Sequence, residues 1–131
     1  MRAVWEAFGS NVEVMTPAHH DLVLAITSHL PHLIAYNIVA TAADIEEVTN
    51  SEVIKFSAGG FRDFTRIAAG DPQVWRDILL ANRAQVLAQA RHFEQGLAAL
   101  EKSIEAGDAA GLEALIRQAS DTRSRWRMGQ D

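Results

Sequence analysis

The strongest constraint on the fold is the stretch that opens at Thr16-Pro17 and runs to about Asp44. Thr16 is a strong N-cap, and Pro17 suits the first helical position, where its missing N–H is not needed. Leu22, Val23, Ile26, Leu30, Leu33, Ile34 and Ile38 follow at helical spacing. Pro31 falls inside this helix. It removes one backbone bond, so the Thr27 carbonyl is expected to lose its usual partner, with a kink nearby. On the other side, Asp21, Ser28, His32 and Tyr36 form a polar stripe with His29 beside it.

The rest of the chain reads mostly as helix. Residues 3–8 look like the end of a helix closed by Gly9. Residues 11–15 (NVEVM) alternate polar and apolar as a short strand does. A helix is predicted from Thr49 to Ser57, ended by Gly59-Gly60, and a short one from Phe61 to Ala68, stopped by Gly70. Asp71-Pro72 repeats the cap-plus-proline signal. It opens a long amphipathic helix to Glu105 carrying Trp75, Ile78, Leu79, Val86, Phe93, Leu97, Leu100 and Ile104. Gly107 breaks that helix, and Asp108 caps a last one with Leu112, Leu115 and Ile116. The prediction is an all-α helical bundle with two long helices and at most one short N-terminal strand. The apolar stripe of the second long helix exceeds what one partner helix covers in so small a domain, so an intertwined homodimer is expected.

Composition excludes several functions. A net charge of −5 and a pI near 5.5 argue against a nucleic-acid surface. Arg117, Arg123, Arg125 and Arg127 read as a solvated helix end, well placed against the helix dipole. With no cysteine there is neither a disulfide framework nor thiolate chemistry. No apolar run reads as long enough to cross a bilayer, and the N-terminus has no signal-peptide core. The expectation is a cytoplasmic protein with no membrane or nucleic-acid partner. No dinucleotide fingerprint follows a strand, and there is no P-loop, nucleophile elbow or metalloprotease helix. Glu46-Glu47, at a helix end, reads as solvated.

Two segments carry candidate chemistry. The first is GGFRDFTRIAAGDPQVWR, residues 59–76. On a helix, Gly59, Asp63 and Arg66 share one face and Phe61, Phe64 and Ala68 another, with the phenylalanines as core anchors. Arg66 offers a planar fork suited to a carboxylate, and Gly59 permits close approach of a ligand or backbone. The alternative is a surface ion pair between Asp63 and Arg66. Trp75 is by default a core residue. The second segment is Ser28-His29-Leu30-Pro31-His32. Its histidines suit a metal only with a third ligand, which the spacing does not supply, so no metal is expected. A satisfied structural pair and a substrate-binding histidine both remain open.

SHLPH on a long helix, then GGFRDFTRIA, then DPxxWRDI, in that order, closely resembles the C-terminal domain of prephenate dehydrogenases. The similarity is greatest to the bacterial cyclohexadienyl (prephenate/arogenate) type and weakens after about Gln89. The resemblance implies an oxidoreductase in which an N-terminal Rossmann domain joins an all-helical domain that makes the dimer. The enzyme uses NAD or NADP for oxidative decarboxylation of prephenate or arogenate, a step of aromatic amino acid and tyrosine biosynthesis, in a cleft between the domains. Residues 1–15 would be the end of the Rossmann domain, and 16–131 the helical substrate-binding and dimerisation domain. The resemblance also implies residue roles. Arg66 binds a substrate carboxylate, and His32 holds the substrate with His29 and Ser28 nearby. Gly59 permits close approach, Asp63 gates or orients, and Trp75 shapes the pocket. The dinucleotide fingerprint and the proton-accepting histidine belong to the N-terminal domain. No catalytic residue is therefore expected in these residues, which by themselves are expected to bind no cofactor and to be inactive. Two competing readings are a free-standing, non-catalytic dimeric binding or regulatory module, and a helical chorismate-type mutase. The mutase would need more converging basic residues than the arginine spacing supplies.

Overall fold

The structure, a computed structural model, describes residues 1–45 and 49–127, so the Glu46-Glu47 pair lies outside the described residues. Helix α1 spans Arg2–Ala7, and Gly9 turns the chain out of it at φ +81°. Residues 11–15 form no strand, contrary to the alternation in NVEVM. No strand exists among the described residues to offer a pairing edge, and an unpaired strand is not stable.

The first long helix forms as α2 (Pro17–Leu24), a π-helical turn (Ala25–His29) and α3 (Leu30–Asp44). Thr16 caps it, its hydroxyl accepting from the His19 N–H at 3.3 Å. The disturbance expected around Pro31 takes the form of the π turn just before it. The Leu30 N–H reaches back five residues to the Ala25 carbonyl. A widened turn is one way a helix absorbs an interrupted bonding ladder. Thr27 Oγ1 donates to the Val23 carbonyl at 2.8 Å, a back-bond that favours bending.

Pro17–Asp44 as a whole has 28 residues and a mean hydropathy of 1.5 in its most apolar window, enough by length and composition to cross a membrane. This corrects the sequence reading that no run is long enough. The polar stripe takes up only one side of the helix, and the apolar residues around it are numerous enough to dominate the mean. The helix is only partly covered, with 17% of that window buried. Ala25 and Ala35 are fully buried, and α3 lies against α5 (Gly59–Thr65) and the 3-10 turn Arg66–Ala69.

Helix α4 (Asn50–Phe56) starts with a reciprocal capping box between Thr49 and Glu52. Gly59 and Gly60 open α5 rather than closing α4, which has already ended in extended backbone at Ser57. The predicted short helix therefore begins two residues early. It tightens at Arg66 into the 3-10 turn that ends at Gly70.

Asp71 caps α6 (Pro72–Ala81), its carboxylate accepting from Gln73 N at 2.9 Å and Val74 N at 3.0 Å. The second long helix is not continuous, as its pattern suggested. Asn82, at φ −105° and ψ 31°, separates α6 from α7 (Arg83–Glu105). Gly107, at φ +63°, ends the next turn, and Asp108 caps α8 (Ala109–Arg125) through the Gly111 N–H.

Contacts divide the chain into Met1–Gln89 and Ala90–Asp131. In the first unit Ala25, Ala35 and Val86 are the buried apolar residues, joined by His29. In the second unit Phe93, Leu97, Ile104, Ile116 and Trp126 are between 41% and 63% exposed, so this unit does not cover its own apolar stripe. Removing the Asp71 carboxylate should weaken the start of α6. Asp71→Ala is expected to lower unfolding free energy by about 1 kcal/mol, with Asp71→Asn close to wild type, measured by urea denaturation.

Candidate functional site

The polar stripe of the first long helix meets α6 at Trp75. The His32 ring stacks on the indole, with centroids 3.5 Å apart and planes 18° from parallel, while His29 meets it edge-on at 6.3 Å. Both contacts follow from placement. His29 closes the π turn and His32 stands in the first turn of α3, while the Asp71 cap puts Trp75 in the first turn of α6. Trp75 is half-buried, so it is neither a plain core residue nor an exposed wall.

Hydrogen bonds settle the chemistry of each imidazole. His32 Nδ1 lies 2.8 Å from the Ser28 carbonyl, which only accepts. His32 therefore carries a proton on Nδ1, and Ser28 enters the cluster through its backbone. His29 Nδ1 lies 3.2 Å from Asn82 Nδ2, which also donates to the Asp21 carbonyl at 2.7 Å. The sequence reading missed Asn82. The legible signal was weak: an asparagine inside an apolar helical period, a residue type that favours helix ends.

His29 is 9% exposed. Its pKa lies below the usual 6.5, chiefly because burial penalises the cation. The neighbouring His32 and His20 add to that, and Asp21 opposes it.

Tyr36, one turn beyond His32, has its hydroxyl buried with no hydrogen-bond partner among the described residues. Gly70 lies against both aromatic groups. A Cβ there would come within 2.8 Å of Trp75 Nε1, 2.9 Å of its Cδ1 and 3.2 Å of Tyr36 Oη. Its φ of −67° is ordinary, so Gly70 is required for space and not for backbone freedom.

The structure gathers His29, His32, Trp75 and the Ser28 backbone; among the described residues, no side-chain hydrogen bond or ion pair joins the other three candidates to them. Gly59 stands at the start of α5 with open space where a side chain would be. Asp63 and Arg66 are exposed, and they form no ion pair with each other among the described residues. Arg66 opens the 3-10 turn that packs on α3, the helix bearing His32. Phe64 is 40% exposed and so does not anchor α5 as expected. Phe61 is half-buried and lines open grooves of about 570 and 420 Å³ with Ala42 and Val53, and no histidine is among their lining residues. Among the described residues, no three histidine or carboxylate side chains gather as a metal site would require.

These features define a class: an all-helical domain with a histidine–tryptophan cluster and an apolar helix surface left for another subunit or domain. Residues 16–118 match the family described as prephenate dehydrogenase, dimerization domain, and the chain belongs to that family. It is 38% identical over 119 residues to a cyclohexadienyl dehydrogenase of Zymomonas mobilis, covering 91% of this chain and 41% of that protein. It is 37% identical over 109 residues to a prephenate dehydrogenase of Bacillus subtilis, covering 83% and 29%. Among solved structures, prephenate dehydrogenase from A. aeolicus, in complex with hydroxyphenyl propionate and NAD+, superposes with a TM-score of 0.84 at 37% identity. That match covers 94% of this chain and 43% of the other. Synechocystis arogenate dehydrogenase gives the same TM-score at 25% identity, covering 96% and 46%. The chain thus spans less than half the length of each of these relatives.

Two outcomes test the cluster. Gly70→Ala should force the indole off His32, costing about 1–3 kcal/mol of stability, with a shift in tryptophan emission. The lowered pKa of His29 means that the unfolded chain binds its proton more readily. Stability should be full above pH 6.5 and fall as pH drops below it, levelling once folded His29 is also charged. Urea unfolding at several pH values checks this, and His29→Gln should flatten the slope.

Proposed function

We propose that this chain is the substrate-binding and dimerisation domain of a prephenate/arogenate dehydrogenase. The complete enzyme would carry out NAD- or NADP-dependent oxidative decarboxylation in tyrosine biosynthesis. The observation that carries the proposal is the convergence of the SHLPH helix and the first turn of α6 on one cluster, His29–His32–Trp75, with the Arg66 turn packed on the same helix. The reading is supported by the relative solved with hydroxyphenyl propionate, a flat ring carrying a carboxylate. The half-buried indole, stacked on His32, would help shape the pocket, and the imidazoles offer fixed hydrogen-bonding atoms. The exposed Arg66 fork, with no ion pair among the described residues, is suited to a carboxylate. In this reading Asp63 orients Arg66, and Gly59, with open space beside it, lets substrate pass close to α5.

No strand is present among the described residues, so the sheet that holds the dinucleotide belongs to a Rossmann domain outside them. Residues 1–15 are read as the segment joining the two domains. The general base and the cofactor belong to that other domain. The uncovered stripe of Phe93, Leu97 and Ile104 is read as the surface a second copy covers, and the enzyme as soluble and cytoplasmic.

Titrating hydroxyphenylpropionate into the chain should shift the His32 and Trp75 NMR signals. Arg66→Ala should weaken that binding by about tenfold or more, as expected for a lost charge-assisted bond, and Arg66→Lys by less. Sedimentation should give a dimer, and the chain alone should not reduce NAD+ with prephenate. Unchanged binding in Arg66→Ala, or measurable turnover by the chain alone, would contradict this reading.

A further inference from the structure

Asn82 occupies the one break in the second long helix, and its side chain reaches across to the first. Its amide nitrogen lies 2.7 Å from the Asp21 carbonyl oxygen and 3.2 Å from His29 Nδ1. The carbonyl fixes the orientation of the amide, because the flipped form would set two acceptor oxygens against each other. With one hydrogen directed at Asp21, the second is available to His29, so His29 Nδ1 must accept.

We infer that Asn82 is a positioning residue for His29, holding its imidazole as the neutral tautomer protonated on Nε2. The neighbouring ring is fixed the opposite way, since His32 Nδ1–H is directed at the Ser28 carbonyl and its Nε2 is left to accept. The two histidines of the SHLPH motif therefore differ in kind: His29 Nε2 donates, and neutral His32 Nε2 accepts. What the His29 donor does for a ligand rests on the substrate-site reading above.

The surroundings favour the assignment. The charged or titratable groups acting on His29 are His32, His20 and Asp21, all on its own long helix. From the α6–α7 side it meets Trp75 and Asn82, which are uncharged. Protonating Nδ1 would set an N–H against the Asn82 amide hydrogens, so the same contact that selects the tautomer disfavours the cation. Asn82 thereby joins a helix break, the cross-link between two long helices, and the state of a cluster histidine.

The test is long-range proton–nitrogen correlation of the imidazoles in the ¹⁵N-labelled chain above neutral pH, on wild type, Asn82→Ala and Asn82→Asp. The wild-type spectrum is expected to show His29 protonated on Nε2 and His32 on Nδ1. Asn82→Ala should give averaged His29 nitrogens. Asn82→Asp, by placing an acceptor at Nδ1, should invert the tautomer and raise the titration midpoint by about one pH unit or more. Hydroxyphenylpropionate affinity should fall about fivefold in Asn82→Ala, the scale of one hydrogen bond. A wild-type His29 protonated on Nδ1 would overturn the inference whether or not the variants fold. So would a tautomer unmoved by Asn82→Ala. If the tautomer changes and affinity does not, the assignment stands but the role of His29 toward the ligand is overturned. Loss of ligand binding by wild type with the tautomers as stated would count against the substrate-site reading alone.

Discussion

The arrangement of the site depends on the stack between Trp75 and His32. An indole and an imidazole 3.5 Å apart and nearly parallel bring two large flat groups into full contact. Aromatic pairs of this kind contribute about 0.5–1.5 kcal/mol beyond the area they bury. More important is what the stack requires of its neighbours. The indole must stand in the first turn of α6, which the Asp71 cap and Pro72 ensure. One edge must be free of a side chain, which Gly70 ensures. The imidazole must be held at a fixed angle, which the Ser28 carbonyl ensures. Each is a local feature with an ordinary physical cause, and together they leave the two rings little freedom.

The first long helix combines two roles that usually conflict. It is apolar enough to serve as a packing element, and it also carries the imidazoles and the buried Tyr36 hydroxyl. Burying such groups is unfavourable unless they find partners. The π turn helps, because a widened turn accommodates the interrupted ladder before Pro31 while His29 closes it. Asn82 then supplies from outside the hydrogen bond that His29 cannot obtain from its own helix. A π turn beside an interrupted ladder is common at functional positions, and here it contains Ser28 and His29 of the histidine–tryptophan cluster.

The second unit has the opposite character. Its helical segments carry strong apolar faces but bury none of their large side chains below intermediate exposure. A surface of that kind is the ordinary signature of a polypeptide that finishes its core against another subunit or domain. The chain spans 41% and 29% of the curated relatives' lengths.

The helix starts were legible in the sequence because caps act locally. Thr16-Pro17, Thr49, Asp71-Pro72 and Asp108 each satisfy N–H groups two or three residues away, and each stands where the pattern indicated. The motif order was legible for the same reason, and with it the family. What tertiary structure decided was every feature that needs a partner distant in the chain. NVEVM has strand alternation, but no strand among the described residues offers an edge to pair with it. Gly59-Gly60 reads as a stop, yet opens the next helix. Asn82 breaks a pattern that looked continuous, because the bond it gains lies 61 residues away at Asp21. The pairing of His32 with Trp75, rather than with a metal or with solvent, is of the same kind. Periodicity and caps record which groups a segment must bury or satisfy; only packing decides which group from elsewhere meets them.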